Sequence, residues 1–194
     1  MSACEQAPGL NMIQHGESVH EHYKALILAL NEDSTEYKEL RDFYARYRGK
    51  LPPAEVLERY HIYHDCGKHL CLTINCDGKR QFPNHAEISA KQFSLIFPED
   101  GFSKYLIAHD MDFHILRGDN LLRTCHSPFA PILYLTAWAE INANVEMFGG
   151  RESESYKIKR SRLIQAGKKL MKETSHGNTG LIQKEGGAYA HATC

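Results

Sequence analysis

Apolar residues recur every three or four positions along most of this chain, the period of a helix that buries one face. Behind Ser18, the residues Val19, His22, Tyr23, Leu26 and Leu30 keep that spacing and predict a first helix. A second is predicted from Glu36 to Tyr47, halted by Gly49-Lys50-Leu51-Pro52-Pro53. A third runs from Ala54 to about Asp65, with Pro53 suited to its first turn. Leu72 to Phe82 holds the turn signal Cys76-Asp77-Gly78-Lys79 and reads as an irregular stretch or short hairpin. Helical period returns from Asn84, a capping residue, to Phe97, which Pro98 follows, and again over Phe102 to Leu116. Phe129 to Phe148 is helical up to Gly149-Gly150, and Ser153 to Glu173 forms the last helix. The predicted fold is all-α, a helical bundle interrupted near 72–82. It comprises one domain over 1–174 and a loose glycine-bearing tail over 175–194.

The composition is that of an ordinary globular chain. It has 194 residues, 42% hydrophobic and 24% charged, enough to build one core. With 23 basic and 24 acidic residues, it is no general nucleic-acid magnet. The longest apolar stretch, Ala25 to Leu30, falls far short of the roughly 20 residues a membrane helix needs. The N-terminal residues do not read as a secretion signal, so six reduced cysteines and a cytoplasmic location are expected. Cys66, Cys71 and Cys76 lie five apart, which is not zinc-ribbon spacing.

Twelve histidines are the unusual feature of that composition. His22 shares a helix face with Val19 and Leu26, His85 with Ile88 and Gln92, and His109 with Phe102, Leu106 and Phe113. His64 and Asp65 end the third helix, and Glu140 sits among Phe129, Leu133, Thr136 and Ala143. A single core histidine is ordinarily just hydrogen-bonded, and a buried carboxylate needs a partner. Several such residues on separate amphipathic helices point to a metal site between facing helices. Imidazole and carboxylate without thiolate suit a divalent transition metal: Mn, Fe, Co, Ni or Zn.

The order of these residues carries a resemblance. Glu17-Ser-Val-His-Glu-His22, Tyr63-His64-Asp65-Cys66-Gly67-Lys68, Phe82-Pro-Asn-His85, Leu106-Ile-Ala-His109-Asp110 and Ala139-Glu140 follow one another along residues 17 to about 150. That stretch resembles the HD-domain phosphohydrolase superfamily, named for its His-Asp pair. The resemblance implies His22, His64 and Asp65 as metal ligands, with His85 and His109 completing a second metal site, for one or two ions in all. The last ligand departs from the family's Asp: Glu140 stands in its place, with Asp110 and Asp112 as alternatives. It further implies attack of a metal-bound hydroxide on phosphorus, in line with the leaving oxygen. Asp65 would hold the metal and assist deprotonation, while Lys68 would meet the substrate phosphate or the charge developing on it. Lys68 also reads as a surface loop lysine. Gly67 allows a close approach of the chain to the site, and His114 and His126 read as outer groups.

Between Arg151 and Lys172 there are eight basic and two acidic residues. Such a run is either a solvated face or a field for a nucleotide or an oligonucleotide end. Arg80, Lys79 and Arg117 add to it. No phosphate loop of the G-x-x-x-x-G-K-[ST] kind occurs. The expected activity is hydrolysis of a nucleotide phosphate ester or anhydride. The alternatives are a phosphatase or phosphodiesterase acting at an RNA end, and a non-catalytic nucleotide-binding module. A haem or di-iron protein fits less well because repeated Glu-x-x-His motifs are missing, and Cys66 or Cys125 as a nucleophile has only a nearby histidine to support it.

Overall fold

The computed structural model describes residues 5–7, 10–32 and 34–176. A bundle of helices forms the fold, as the apolar period predicts. Two short antiparallel pairs accompany it: β1 (Glu5–Ala7) with β2 (Leu10–Asn11), and β3 (Thr73–Ile74) with β4 (Arg80–Gln81). The second pair is the hairpin expected near 72–82. Of the tail expected over 175–194, residues 175 and 176 belong to the last helix and the rest lie outside the described residues. Among the described residues no helix is long and apolar enough to cross a membrane, and Cys66, Cys71, Cys76 and Cys125 are free.

The first helix, α1 (Met12–Asn31), starts well before Ser18. Asn11 Oδ1 accepts hydrogen bonds from the Ile13 and Gln14 amides at 3.0 Å, and Gln14 Oε1 accepts from the Asn11 amide at 3.0 Å. This reciprocal cap satisfies amides that the first helical turn leaves without partners. It also draws His15 and Gly16 into the helix, facing α3 (Ala54–Tyr63). A Cβ at Gly16 would lie 2.4 Å from the Ile62 carbonyl oxygen, so only glycine lets the two backbones meet there. Pro53, expected in the first turn of α3, stands just before it and makes no side-chain cap. Between α1 and α3 run a 3-10 stretch over Thr35–Leu40 and α2 (Arg41–Tyr47).

After α4 (His85–Ile96), the single helix expected over Phe102–Leu116 divides into α5 (Gly101–Ala108) and α6 (Asp112–Ile115). The intervening turn changes which residues face the core. Asp110 is buried, whereas His109 has a side chain 41% exposed. A further helix, α7 (Gly118–Cys125), was not anticipated. Its Leu121 and Cys125, one turn apart and both buried, are the apolar stripe that marks it.

The centre of the bundle is α8 (Ala130–Ala143), in contact with α1, α6 and α9 (Glu154–His176). Ile132 to Ala139 are all buried, so α8 is apolar around its whole circumference, as a central helix must be. Glu140 is the one ionised side chain on it. α9 and the turn before it are held against the Thr35–Leu40 stretch by ion pairs of Arg151 with Glu36, at 2.7 Å, and of Arg160 with Glu39.

Candidate metal centre

Six segments deliver polar side chains to one buried region. α1 supplies His15, the turn after α3 supplies His64, Asp65 and Lys68, and the first residue of α4 is His85. The α5–α6 turn supplies Asp110, α6 supplies His114, and α8 supplies Glu140. Bonds from the Cys66 amide to the Tyr63 carbonyl and from the Lys68 amide to the Asp65 carbonyl, both 3.0 Å, keep the turn after α3 tightly wound. Gly67 packs this turn onto α4, where an added Cβ would meet the Ser89 amide at 2.5 Å. Its close approach is therefore to α4.

Asp65 is the hub. Its Oδ2 lies 2.7 Å from Lys68 Nζ, 3.2 Å from His64 Nε2 and 3.8 Å from His15 Nε2, and its Oδ1 lies 3.6 Å from His85 Nε2. Two groups among the described residues offer ligand atoms within 4.8 Å of one another and could hold a metal ion: His15, His64 and Asp65, and His64, Asp110 and Glu140. Tyr60 donates its hydroxyl to Asp110 Oδ1, and His114 Nε2 stands 2.7 Å from Glu140 Oε2.

The orientation of the imidazoles is informative. His64 Nδ1 is 2.7 Å from the His61 carbonyl, and His85 Nδ1 is 3.0 Å from the Phe82 carbonyl. A carbonyl only accepts, so both Nδ1 atoms carry the proton, and a neutral ring then presents a lone pair on Nε2. This is how outer hydrogen bonds orient metal-binding histidines. The Nε2 lone pair of His64 would face Asp65 Oδ2 across 3.2 Å. Two lone pairs at that distance repel, so a positive charge must stand between them: a second proton on His64, or a cation. Both nitrogens of His15, Nε2 of His64 and Oδ1 of Asp65 are shut from water without a hydrogen-bond partner. Leaving such atoms unpaired costs about 1–3 kcal/mol each.

The electrostatics agree with that division. Burial alone would lower the His64 pKa, but the Asp65 and Asp110 carboxylates lift it to about 10. Burial would raise Asp65, yet His64 and Lys68 hold it well below the usual carboxylate range. Burial pushes His15 down to about 4, aided by His64, and lowers His85, so both present bare nitrogens at neutral pH. Asp110 is raised by burial against the pull of His64, with Glu140 adding to the rise. Burial would also raise Glu140, but His114 holds it low. Burial opposes the charge on Lys68, which Asp65 nonetheless raises.

The structure thus brings His64, Asp65, Lys68, His85, Asp110 and Glu140 together. It does not bring His22, His109 or Asp112 to them. His22 is seven residues beyond His15, about 10 Å along the helix, with Nδ1 2.8 Å from the Ser18 carbonyl. The helix begins earlier than Ser18 suggests, so His15 takes the inner position. His109 is turned outward by the break before α6, and its Nδ1 is 3.0 Å from Asp112 Oδ2. Asp112 also accepts from Thr124 Oγ1 at 2.8 Å. Lys68 is buried against Asp65, not a surface lysine. Arg80 is exposed on β4, two residues before Phe82, whose ring lies 5.5 Å from Lys68 Nζ. His15 and Tyr60 were missed by sequence reasoning. The signal for His15 was Asn11 followed three residues later by Gln14, a capping pair.

Behind this region lies a second set of histidines. His20 Nδ1 is 3.0 Å from His61 Nδ1, and His61 Nε2 is 3.0 Å from Thr136 Oγ1. Burial lowers the pKa of both histidines, His61 far more strongly. Compared with known protein families, curated proteins and solved structures, the chain gives no match.

Proposed function

We propose that this chain is a metal-dependent phosphohydrolase that cleaves a phosphate ester or anhydride of a nucleotide. The observation that carries the reading is the His64–Asp65 pair, whose facing atoms need a proton or a cation between them, beside unpaired ligand atoms of His15 and Asp65. The resemblance of residues 17–150 to the HD-domain superfamily supports it at the His-Asp pair. His15, in place of His22, fills the role of the first ligand. His64 has only Nε2 to give, since Nδ1 is committed to the His61 carbonyl. One ion would therefore be held through His64, either with His15 and Asp65 or with Asp110 and Glu140. A second would have to rely on Asp65 Oδ1 and His85.

A bound Mn, Fe, Co, Ni or Zn ion supplies Lewis acidity, neutralising phosphoryl oxygens and lowering the pKa of water. The chain's own groups do the rest. Lys68 keeps its charge and presents it beside Asp65, where a phosphoryl oxygen gains negative charge. Where the ion sits with His15 and Asp65, Asp110, with a raised pKa and a hydrogen bond from Tyr60, is suited to hold or release a proton nearby. The surrounding α8 core excludes water from one side.

The test is phosphate release by chelated protein resupplied with each metal, against nucleoside mono-, di- and triphosphates and an oligonucleotide bearing a terminal or cyclic phosphate. At least one metal restores release in the wild type and none restores it in His64→Ala. Activity on the oligonucleotide alone, falling steeply with salt, would shift the reading to an RNA end. Stoichiometric metal without release from any substrate would make the chain a binding module.

A further inference from the structure

Exposure around the metal centre is uneven. The side chains of His15 and Asp65 are 1% exposed and that of His64 2%, whereas His85 is 14% exposed and His114 and Glu140 are 12%. Solvent thus reaches His85, and the His114–Glu140 pair, more than it reaches the inner three groups. Beside His114, between α6 and α9, Phe113, His114, Lys159, Arg162 and Leu163 line a cleft of about 20 Å³. That is room for one water-sized group, such as a single phosphoryl oxygen, with the rest of the phosphate at the mouth. Of the neighbouring basic residues, Arg151 pairs with Glu36, Arg160 with Glu39 and Lys157 with Glu152. Lys159 Nζ rests 4.8 Å from the centre of the Phe148 ring, a contact that does not neutralise it. Arg162 is exposed and has no ion pair among the described residues.

We propose that this cleft binds an outer phosphate of the substrate, with Lys159 and Arg162 as its cations and His114 as the wall shared with Glu140. The substrate then carries linked phosphates, as a nucleoside di- or triphosphate does. One imidazole ring and a 2.7 Å contact separate the cleft from the Glu140 carboxylate. A chain of phosphates covers that span and a single phosphate does not. The identity of the inner group rests on the phosphohydrolase reading, but the anion site itself does not.

The test uses metal-free full-length protein and calorimetric titration with inorganic tripolyphosphate and with orthophosphate. Two charge-matched double variants are compared, Lys159→Gln with Arg162→Gln and Lys168→Gln with Lys169→Gln, after their melting temperatures are checked against the wild type. Tripolyphosphate binds the wild type more tightly than orthophosphate. It binds the cleft variant at least tenfold more weakly, and the control variant within twofold. Equal weakening in both variants, no weakening in the cleft variant, or no binding by the wild type overturns the site. Binding that depends on Lys159 and Arg162, without phosphate release from any nucleotide with any metal, keeps the anion site and removes the hydrolase reading.

Discussion

The same two helical segments build two sets of buried histidines with opposite chemistry. α1 contributes His15 to one and His20 to the other, and the α3 region contributes His64 and His61. The His20–His61–Thr136 set contains no carboxylate, and both ring nitrogens of His61 have hydrogen-bond partners. The His15–His64–Asp65 set has carboxylates on two further elements, a buried lysine, and ring nitrogens without hydrogen bonds. Burial of an imidazole is common to both and so says nothing of a metal. Unpaired ligand atoms aimed at a carboxylate are what separate them.

The largest expected contrast comes from removing one member of each set. Asp65→Asn leaves the Lys68 and His64 charges buried beside a neutral amide. Breaking a buried ionic group in this way costs roughly 3–5 kcal/mol, and the variant should also lose its metal. His61→Gln disturbs a neutral chain and should cost about 1–3 kcal/mol while metal content stays at the wild-type level. Denaturant unfolding of chelated protein and elemental analysis of loaded protein read the two effects. A His61→Gln variant that loses metal would merge the two regions and break the distinction.

A smaller effect sharpens it through pH. His64 has its pKa raised from 6.5 to about 10 in the folded chain. Its proton stabilises the metal-free protein fully below about pH 6.5, and that contribution is lost as pH rises through about 10. A metal on Nε2 must displace the same proton. Binding should therefore release one proton per ion, and affinity should rise about tenfold per pH unit below the His64 pKa. Calorimetry in two buffers of different ionisation enthalpy counts the proton. Thermal melting of the metal-free protein should weaken from pH 7 to 10 more than that of the loaded protein. Binding without proton release would place the ion away from His64. His61, with its pKa already pushed far down, contributes nothing to this slope.

Much of the bundle was legible because amphipathic period survives wherever a helix buries one face, and the His64–Asp65 pair, His85, Asp110 and Glu140 were all singled out for chemistry. The errors lie where backbone geometry, not period, decides the facing residue. Ser18 continues the same helix that Asn11 caps, so starting at Ser18 kept the stripe and lost the turn bearing His15. Phe102 to Leu116 keeps helical spacing across a real break, because Leu106 and Phe113, seven apart, are both buried on either side of it. The turn between them exchanges His109 for Asp110, which no periodicity could show. The close contact at Gly16 is equally invisible, since a glycine in a helix carries no apolar signal of its own.

The smallest expected effect tests whether the inner and outer histidines have been told apart. His22 and His109 lie on the same two segments as His15 and Asp110, and the family resemblance points to them as ligands. Both have Nδ1 engaged locally, His22 with the Ser18 carbonyl at 2.8 Å and His109 with Asp112 at 3.0 Å. His22→Ala and His109→Ala should each change stability by no more than about 0.5 kcal/mol, as substitutions away from buried networks do. Metal content should stay at the wild-type level in both, while His15→Ala loses it. The three variants differ little in composition, so a parallel elemental analysis isolates position alone. Loss of metal in His22→Ala with retention in His15→Ala would reverse the assignment along α1. The centre would then have to form two helical turns nearer the C-terminal end of that helix.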